Sequence, residues 1–185
     1  ATLPDENFIV LFPGASLADK RWPTRYFALC AEQLTQEFEG MVALCGTQNE
    51  HAMCEEISQL SNTNRVVNCA GQTTLPELVE WLRYAKLLIT NDTSAVHLAN
   101  AVGTPSICVL GGGHFGRFLP YPEHIDGLKP ISVFHKMSCY GCDWRCTHAD
   151  YQPNRAAPCI QQVSPEEVLT HAIRILRTQL SNPTH

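Results

Sequence analysis

Short apolar runs recur along the chain. Each ends at a glycine, a proline or a polar break, and most are followed by a segment whose apolar residues return every three or four positions. Phe8-Ile9-Val10-Leu11-Phe12 is the first run, a buried strand stopped by Pro13-Gly14. Pro23 suits a first helical turn, and Tyr26, Phe27, Leu29, Cys30 and Leu34 then follow helical spacing. Met41 to Cys45, ended by Gly46, predicts a second strand, and a helix is expected around Gln48 to Leu60. Val66-Val67 is a third, short strand. Thr74-x-x-Glu77 has the form of a capping box and opens a helix through Leu78, Val79 and Leu82. Leu87 to Thr90 is a fourth strand, Val96 to Val102 a short helix ended by Gly103, and Pro105 to Leu110 a fifth strand. Ile131-Ser132-Val133-Phe134 is a candidate sixth. From Pro165 to Leu180 the apolar positions Val168, Leu169, Ala172, Ile173 and Leu176 predict an amphipathic helix, with Ser164 as its cap and Glu166 and Glu167 in its first turn.

Apolar strands alternating with helices imply a parallel sheet covered on both faces. The expected fold is α/β, a doubly wound, Rossmann-like parallel sheet, in which ligands bind at the carboxyl ends of the strands. The chain has 185 residues, enough for one domain, and shows no internal repeat or linker; residues 1–185 are taken as one unit. Its least regular stretch is Gly111 to Pro130, followed by a cysteine-rich segment.

Composition narrows the options. A net charge of -5 gives no global basic field for nucleic acid. No apolar run is long enough to span a bilayer, and Ala1 to Glu6 lacks the basic and apolar regions of a signal peptide, so a cytoplasmic location is expected. Of nine cysteines, Cys30, Cys45, Cys54, Cys69 and Cys108 fall in apolar or helical stretches and read as small buried hydrophobes. Cys139-x-x-Cys142-x-x-x-Cys146, with Cys159 further on, has the look of a metal or iron–sulfur ligand set, but the spacing fits only in part and suits reduced structural thiols or disulfides better. Trp22, Trp81 and Trp144 lie in unrelated segments and are expected to be packing residues rather than stacking platforms.

Three loops leaving strands carry candidate chemistry. Phe12 to Pro23 offers close backbone approach at Gly14, a hydroxyl at Ser16 and positive charge at Lys20 or Arg21 ahead of a helix N-terminus. Thr90-Asn91-Asp92-Thr93-Ser94-Ala95-Val96-His97 opens another helix; Asp92 or Thr93 can cap it, free N–H groups can hold a phosphate oxygen, and His97 lies one turn in. Glu50, beyond the second strand, is placed where dinucleotide folds hold ribose hydroxyls. Taken singly, these loops also suit a solvated turn, an ordinary helix cap and a first-turn carboxylate stabilised by the helix dipole.

Taken together, they resemble glycosyltransferase family 9, the heptosyltransferases. The matching residues are Pro13-Gly14-Ala15-Ser16, Lys20-Arg21-Trp22-Pro23, Gly46-x-x-x-Glu50, Ala70 to Leu78, Ala85 to Thr93, His97-Leu98-Ala99 and Gly103-Thr104-Pro105. Cys159-Ile160 and Val163 to Val168 resemble the family's end. The resemblance implies the C-terminal, donor-binding half of a two-domain GT-B transferase, whose donor in the best-known members is ADP-heptose and which needs no metal or other cofactor. By resemblance, Ser16 and Lys20 contact the diphosphate and Glu50 holds the ribose. Asp92 reaches the sugar hydroxyls, Thr93, Ser94 and His97 surround the phosphates and sugar, and the Gly71 to Thr74 loop, Thr73 included, lies by the adenosine. Lys20 and Asp92 are the candidate catalytic residues.

The acceptor, a saccharide or lipid-linked saccharide such as a lipopolysaccharide core, would be met through an N-terminal domain that also carries the base. That domain is expected to be absent from this chain, which alone would bind donor without turnover. The full enzyme would work in the cytoplasm or at the inner face of the inner membrane. Two alternatives stand beside this: a GT-B type nucleotide-sugar epimerase, and a nucleotide-sugar-binding or scaffold module without activity. Two features depart from the family pattern. Ser94 replaces the usual glycine, and Gly111 to Tyr121, with His114 and Arg117, is a glycine-rich loop that suits either a donor or acceptor contact or a flexible surface loop.

Overall fold

The computed structural model describes residues 7–181. Six strands form one sheet in the order β3-β2-β1-β4-β5-β6, with every adjacent pair parallel. They are β1 (Phe8–Phe12), β2 (Met41–Leu44), β3 (Val66–Asn68), β4 (Leu88–Asn91), β5 (Ser106–Val109) and β6 (Ile131–Val133). The order reverses between β1 and β4, so the crevice above their carboxyl ends is the switch point where such sheets bind ligands.

The helices are α1 (Thr24–Glu37), α2 (His51–Leu60), α3 (Leu75–Tyr84), α4 (Ser94–Ala101), α5 (Pro158–Gln161) and α6 (Pro165–Ser181). The period-2 pattern of β1 assigns its two faces. Ile9 and Leu11 join a core with Phe27, Leu34, Ile57 and Leu176 from α1, α2 and α6. Phe8 and Val10 face the other way, into a core with Leu78, Trp81, Leu82, Ala95 and Ala99 from α3 and α4. Both faces of every central strand are therefore dry, which is why these strands read as unbroken apolar runs rather than as alternations.

The predicted boundaries shift by small amounts with local causes. The expected Gln48–Leu60 helix begins as a 3-10 turn at Gln48–Glu50, closed by a capping box from Thr47 to Glu50, before α2 proper. The Thr74–Glu77 capping box forms as the sequence predicts: the Glu77 carboxylate accepts from the Thr74 backbone and hydroxyl, both at 2.7 Å. Pro23 is the residue before α1 rather than its first turn. Ser164 accepts the Glu167 N–H at 3.3 Å at the head of α6. The 3-10 turn Ala18–Lys20 and the one-turn α5 carry no periodicity and were not expected.

Trp22 and Trp81 are buried, as packing residues should be; Trp144 packs against the core but is only partly buried. Cys30, Cys45, Cys54, Cys69 and Cys108 are all buried free thiols. Burial pushes the Cys30, Cys45 and Cys108 thiols well above their ordinary range, and that of Cys54 up to about 12. These thiols should therefore be inert in the folded chain. Titration with a thiol-reactive disulfide at neutral pH is expected to label Cys139, Cys142 and Cys146 quickly, and Cys30, Cys45, Cys54 and Cys108 only after denaturation; rapid native labelling of Cys54 would contradict this packing.

Candidate active site

Three loops from β1, β2 and β4 meet at the switch point, and a single side chain joins two of them. Asn91, the last residue of β4, is fully buried. Its amide donates to the Pro13 carbonyl at 2.7 Å and to the Gly14 carbonyl at 3.4 Å, while its oxygen accepts the Trp22 backbone N–H at 3.0 Å. The β1 loop is thus held at both its start and its end. Arg21 folds the middle of it by donating to the Ala15 carbonyl at 2.9 Å. The Trp22 indole donates to Val163 O at 3.1 Å, which fixes the loop to the segment before α6.

This clamp brings Lys20 to Asp92. The two form an ion pair at 2.9 Å with side chains only 13% and 7% exposed. Little water screens it, and removing either partner would strand a buried charge at a cost of about 3–5 kcal/mol. With Asp92 so engaged, Thr93 caps α4, accepting the Ala95 N–H at 3.3 Å. Ser94 is exposed in the first turn, and Ser16 is exposed on the β1 loop. His97 is half-buried; its Nδ1 is 2.7 Å from the Tyr121 hydroxyl, with the two rings stacked at 5.8 Å. Burial first, and then the Cys108 thiol, raise the Tyr121 phenol above its ordinary range, so it stays an O–H.

Glu50 joins the β2 loop to the β1 loop. One carboxylate oxygen accepts from Thr47 N at 2.6 Å and Thr47 Oγ1 at 3.0 Å. The other lies over Gly14, where a Cβ would stand 1.7 Å from it. Glycine at 14 therefore admits Glu50, a neighbour within the protein, where the sequence suggested only close approach to a ligand. Gly71, at φ 79°, similarly gives way to Gln48. Thr73 is partly buried in the turn before α3, on the β3 side.

The glycine-rich loop is not a free surface loop. Backbone N–H groups of Gly141 and Asp143 donate to Gly112 O at 2.8 Å and Gly113 O at 3.1 Å, so the cysteine-rich segment lies along it like a strap. Cβ atoms at Gly111 and Gly113 would run into the Trp144 ring, and one at Gly112 into Tyr140. His114 pairs with Asp143 at 2.7 Å, while the Arg117 guanidinium lies over Phe118. Trp144 brings its ring centroid to 5.2 Å from Lys20 Nζ. The sequence gives no sign of that contact, because strap and lysine are far apart along the chain. Cys139, Cys142, Cys146 and Cys159 line one small cavity under the strap; among the described residues no three His, Cys, Asp or Glu side chains are grouped so as to hold a metal ion. A separate concavity, bounded by Phe38, Tyr84, Lys86 and Leu180, lies at the opposite, amino end of the strands, away from this chemistry.

The sheet order and the switch-point crevice define a Rossmann-like α/β domain. The chain belongs to glycosyltransferase family 9 (heptosyltransferase), whose profile matches residues 2–137. It is 26% identical over 175 residues to lipooligosaccharide heptosyltransferase 2 of Campylobacter jejuni, covering 93% of this chain and 52% of that protein. It is 38% identical over 116 residues to lipooligosaccharide heptosyltransferase 2 of Haemophilus influenzae, covering 60% of this chain and 33% of that one. Escherichia coli ADP-heptose lps heptosyltransferase II superposes with a TM-score of 0.75 at 24% identity, over 95% of this chain and 48% of its own, a likeness of fold. The chain thus spans about half, or less, of the relatives it matches. No described helix is long and apolar enough to cross a membrane.

Asn91→Ala would leave the Trp22 N–H and the Pro13 carbonyl buried without their partner. It is expected to lower stability by about 3 kcal/mol, with a fall in Tm on the order of 6–12 °C in calorimetry. A change within about 0.5 kcal/mol, the level of an ordinary surface substitution, would show that the clamp is dispensable.

Proposed function

We propose that this chain is the donor-binding half of a heptosyltransferase, taking ADP-heptose for transfer to a lipopolysaccharide core or another cell-surface saccharide. The observation that carries the reading is the Lys20–Asp92 pair, buried at the carboxyl ends of β1 and β4 beside the head of α4. Family membership and the heptosyltransferase names of the relatives support it, and count against an epimerase.

The loop order along the sheet suits an extended nucleotide sugar. Glu50 and Thr73, on the β2 and β3 side, face the nucleoside, with Glu50 holding the ribose. Ser16, Lys20 and the first turn of α4 at Thr93 and Ser94 take the diphosphate. Asp92 and His97 lie toward the sugar. At rest the charge of Lys20 is answered by Asp92. A bound diphosphate brings greater negative charge to the same ammonium, drawing Lys20 toward it and freeing Asp92 to accept sugar hydroxyls. As the glycosidic bond breaks, negative charge grows on the leaving diphosphate. The ammonium, now beside the diphosphate, and α4 backbone N–H groups then stabilise the transition state more than the ground state.

The base that deprotonates the acceptor belongs, on this reading, to an N-terminal half, so this chain alone binds donor without transfer. The complete enzyme would act at the cytoplasmic face of the inner membrane, where a lipid-linked acceptor is reached.

Thermal unfolding with ADP, UDP, GDP and ADP-heptose tests this. Saturation at a hundred times Kd should add about 2.7 kcal/mol, a rise on the order of 5–11 °C, with ADP and ADP-heptose only. Lys20→Ala is expected to abolish the rise. A shift with UDP or GDP instead would discard heptose, and no shift with any nucleotide would overturn the donor-site reading. Slow transfer of heptose by this chain alone would refute the assignment of the base to another domain.

A further inference from the structure

We propose that Trp144, carried on the cysteine-rich strap rather than on the Rossmann strands, is the stacking platform for the transferred sugar of the donor. This rests on the donor-site reading and adds a residue that reading did not contain.

Position is the first argument. The strand ends run β3, β2, β1, β4, β5 across the sheet. With the nucleoside toward β2 and β3 and the diphosphate between β1 and β4, the sugar projects toward β5. The loop after β5 is the glycine run, and Trp144 sits on it, with its ring centroid 5.2 Å from Lys20 Nζ. An indole beside the diphosphate cation, on the side away from the nucleoside, is placed to meet the C–H face of a pyranose.

The way the ring is held is the second argument. Gly111 and Gly113 leave room that a Cβ would fill, at 2.6 Å and 2.4 Å from indole atoms. His114 meets the ring edge-on at 6.2 Å and is itself fixed by Asp143 at 2.7 Å. Asp143 and Trp144 are consecutive non-glycine residues in the left-handed region, at φ 51° and 59°. That conformation is unusual for a bulky side chain and collects at ligand sites, where the surroundings enforce it. The backbone is therefore bent against its preference to present this one ring.

Trp144 Nε1 and His114 Nδ1 are both closed off from solvent, so any contact with a sugar is made by the ring and not by its N–H. A purely structural tryptophan would need neither the strained backbone nor the contact with Lys20.

Calorimetric titration of the chain with ADP and with ADP-heptose separates these roles, using Trp144→Ala and Trp144→Phe, with circular dichroism as the check on folding. Trp144→Ala is expected to bind ADP within about twofold of the parent chain but ADP-heptose about tenfold more weakly, the change that ~1.4 kcal/mol produces. Trp144→Phe should recover most of the loss. ADP-heptose, and not ADP, should quench the tryptophan fluorescence that Trp144→Phe removes. Equal weakening of ADP and ADP-heptose would overturn the proposal, since a base-stacking or Lys20-positioning ring behaves that way. Unchanged binding of both would overturn it too, and would assign the ring to acceptor or to packing. Absence of ADP binding by the parent chain would instead overturn the donor-site reading itself, and this proposal with it.

Discussion

The site depends on one buried carboxamide. Asn91 has no solvent to fall back on, so its amide and carbonyl must find partners within the protein, and they find both ends of the β1 loop. That requirement turns a flexible strand-to-helix connection into a fixed arch. Lys20 stands under the arch at bonding distance from Asp92, the residue directly after the asparagine. Without the clamp, a long, flexible lysine would be free to seek water, and a nearly buried aspartate would lose its counter-charge. Placement of cation, anion and helix head thus follows from satisfying three backbone groups.

Glu50 plays a similar part on the neighbouring loop. Its carboxylate caps the turn at Thr47 and leans on the bare backbone of Gly14. The β1 loop is consequently tied on one side to β4 and braced on the other by β2. The ammonium and the carboxylates are thus gathered at the mouth of the crevice by the fold itself.

The apolar runs were enough to show the layered α/β plan, because strands dry on both faces cannot alternate and because Gly46, Gly103 and Pro13 punctuate them. The three loops were legible for the same reason: a parallel sheet sends every strand's carboxyl end to one side. Pair-level detail was not. Lys20 and Asp92 are 72 positions apart, and no periodicity says which acid meets which base. The stacking of His97 on Tyr121 and the seating of Trp144 on the glycine run depend on irregular segments held by turns and unusual dihedrals. Gly111 to Gly113 suited a ligand contact or a flexible loop, because a glycine needed for another residue's ring looks, in sequence, like a glycine needed for either.

The indole of Trp22 reaches across 141 positions to the carbonyl of Val163. Within this domain the arch lies on the first strand's loop, yet its outer support lies beyond the last strand. During synthesis, β1 to β4 can pair while the chain is still being extended, whereas this brace cannot close until the residues before α6 have left the ribosome. Closing so long a loop is entropically slow. The switch-point crevice therefore takes part of its support from the far end of the domain, and its arch cannot be complete until Val163 and the α6 core residues are in place.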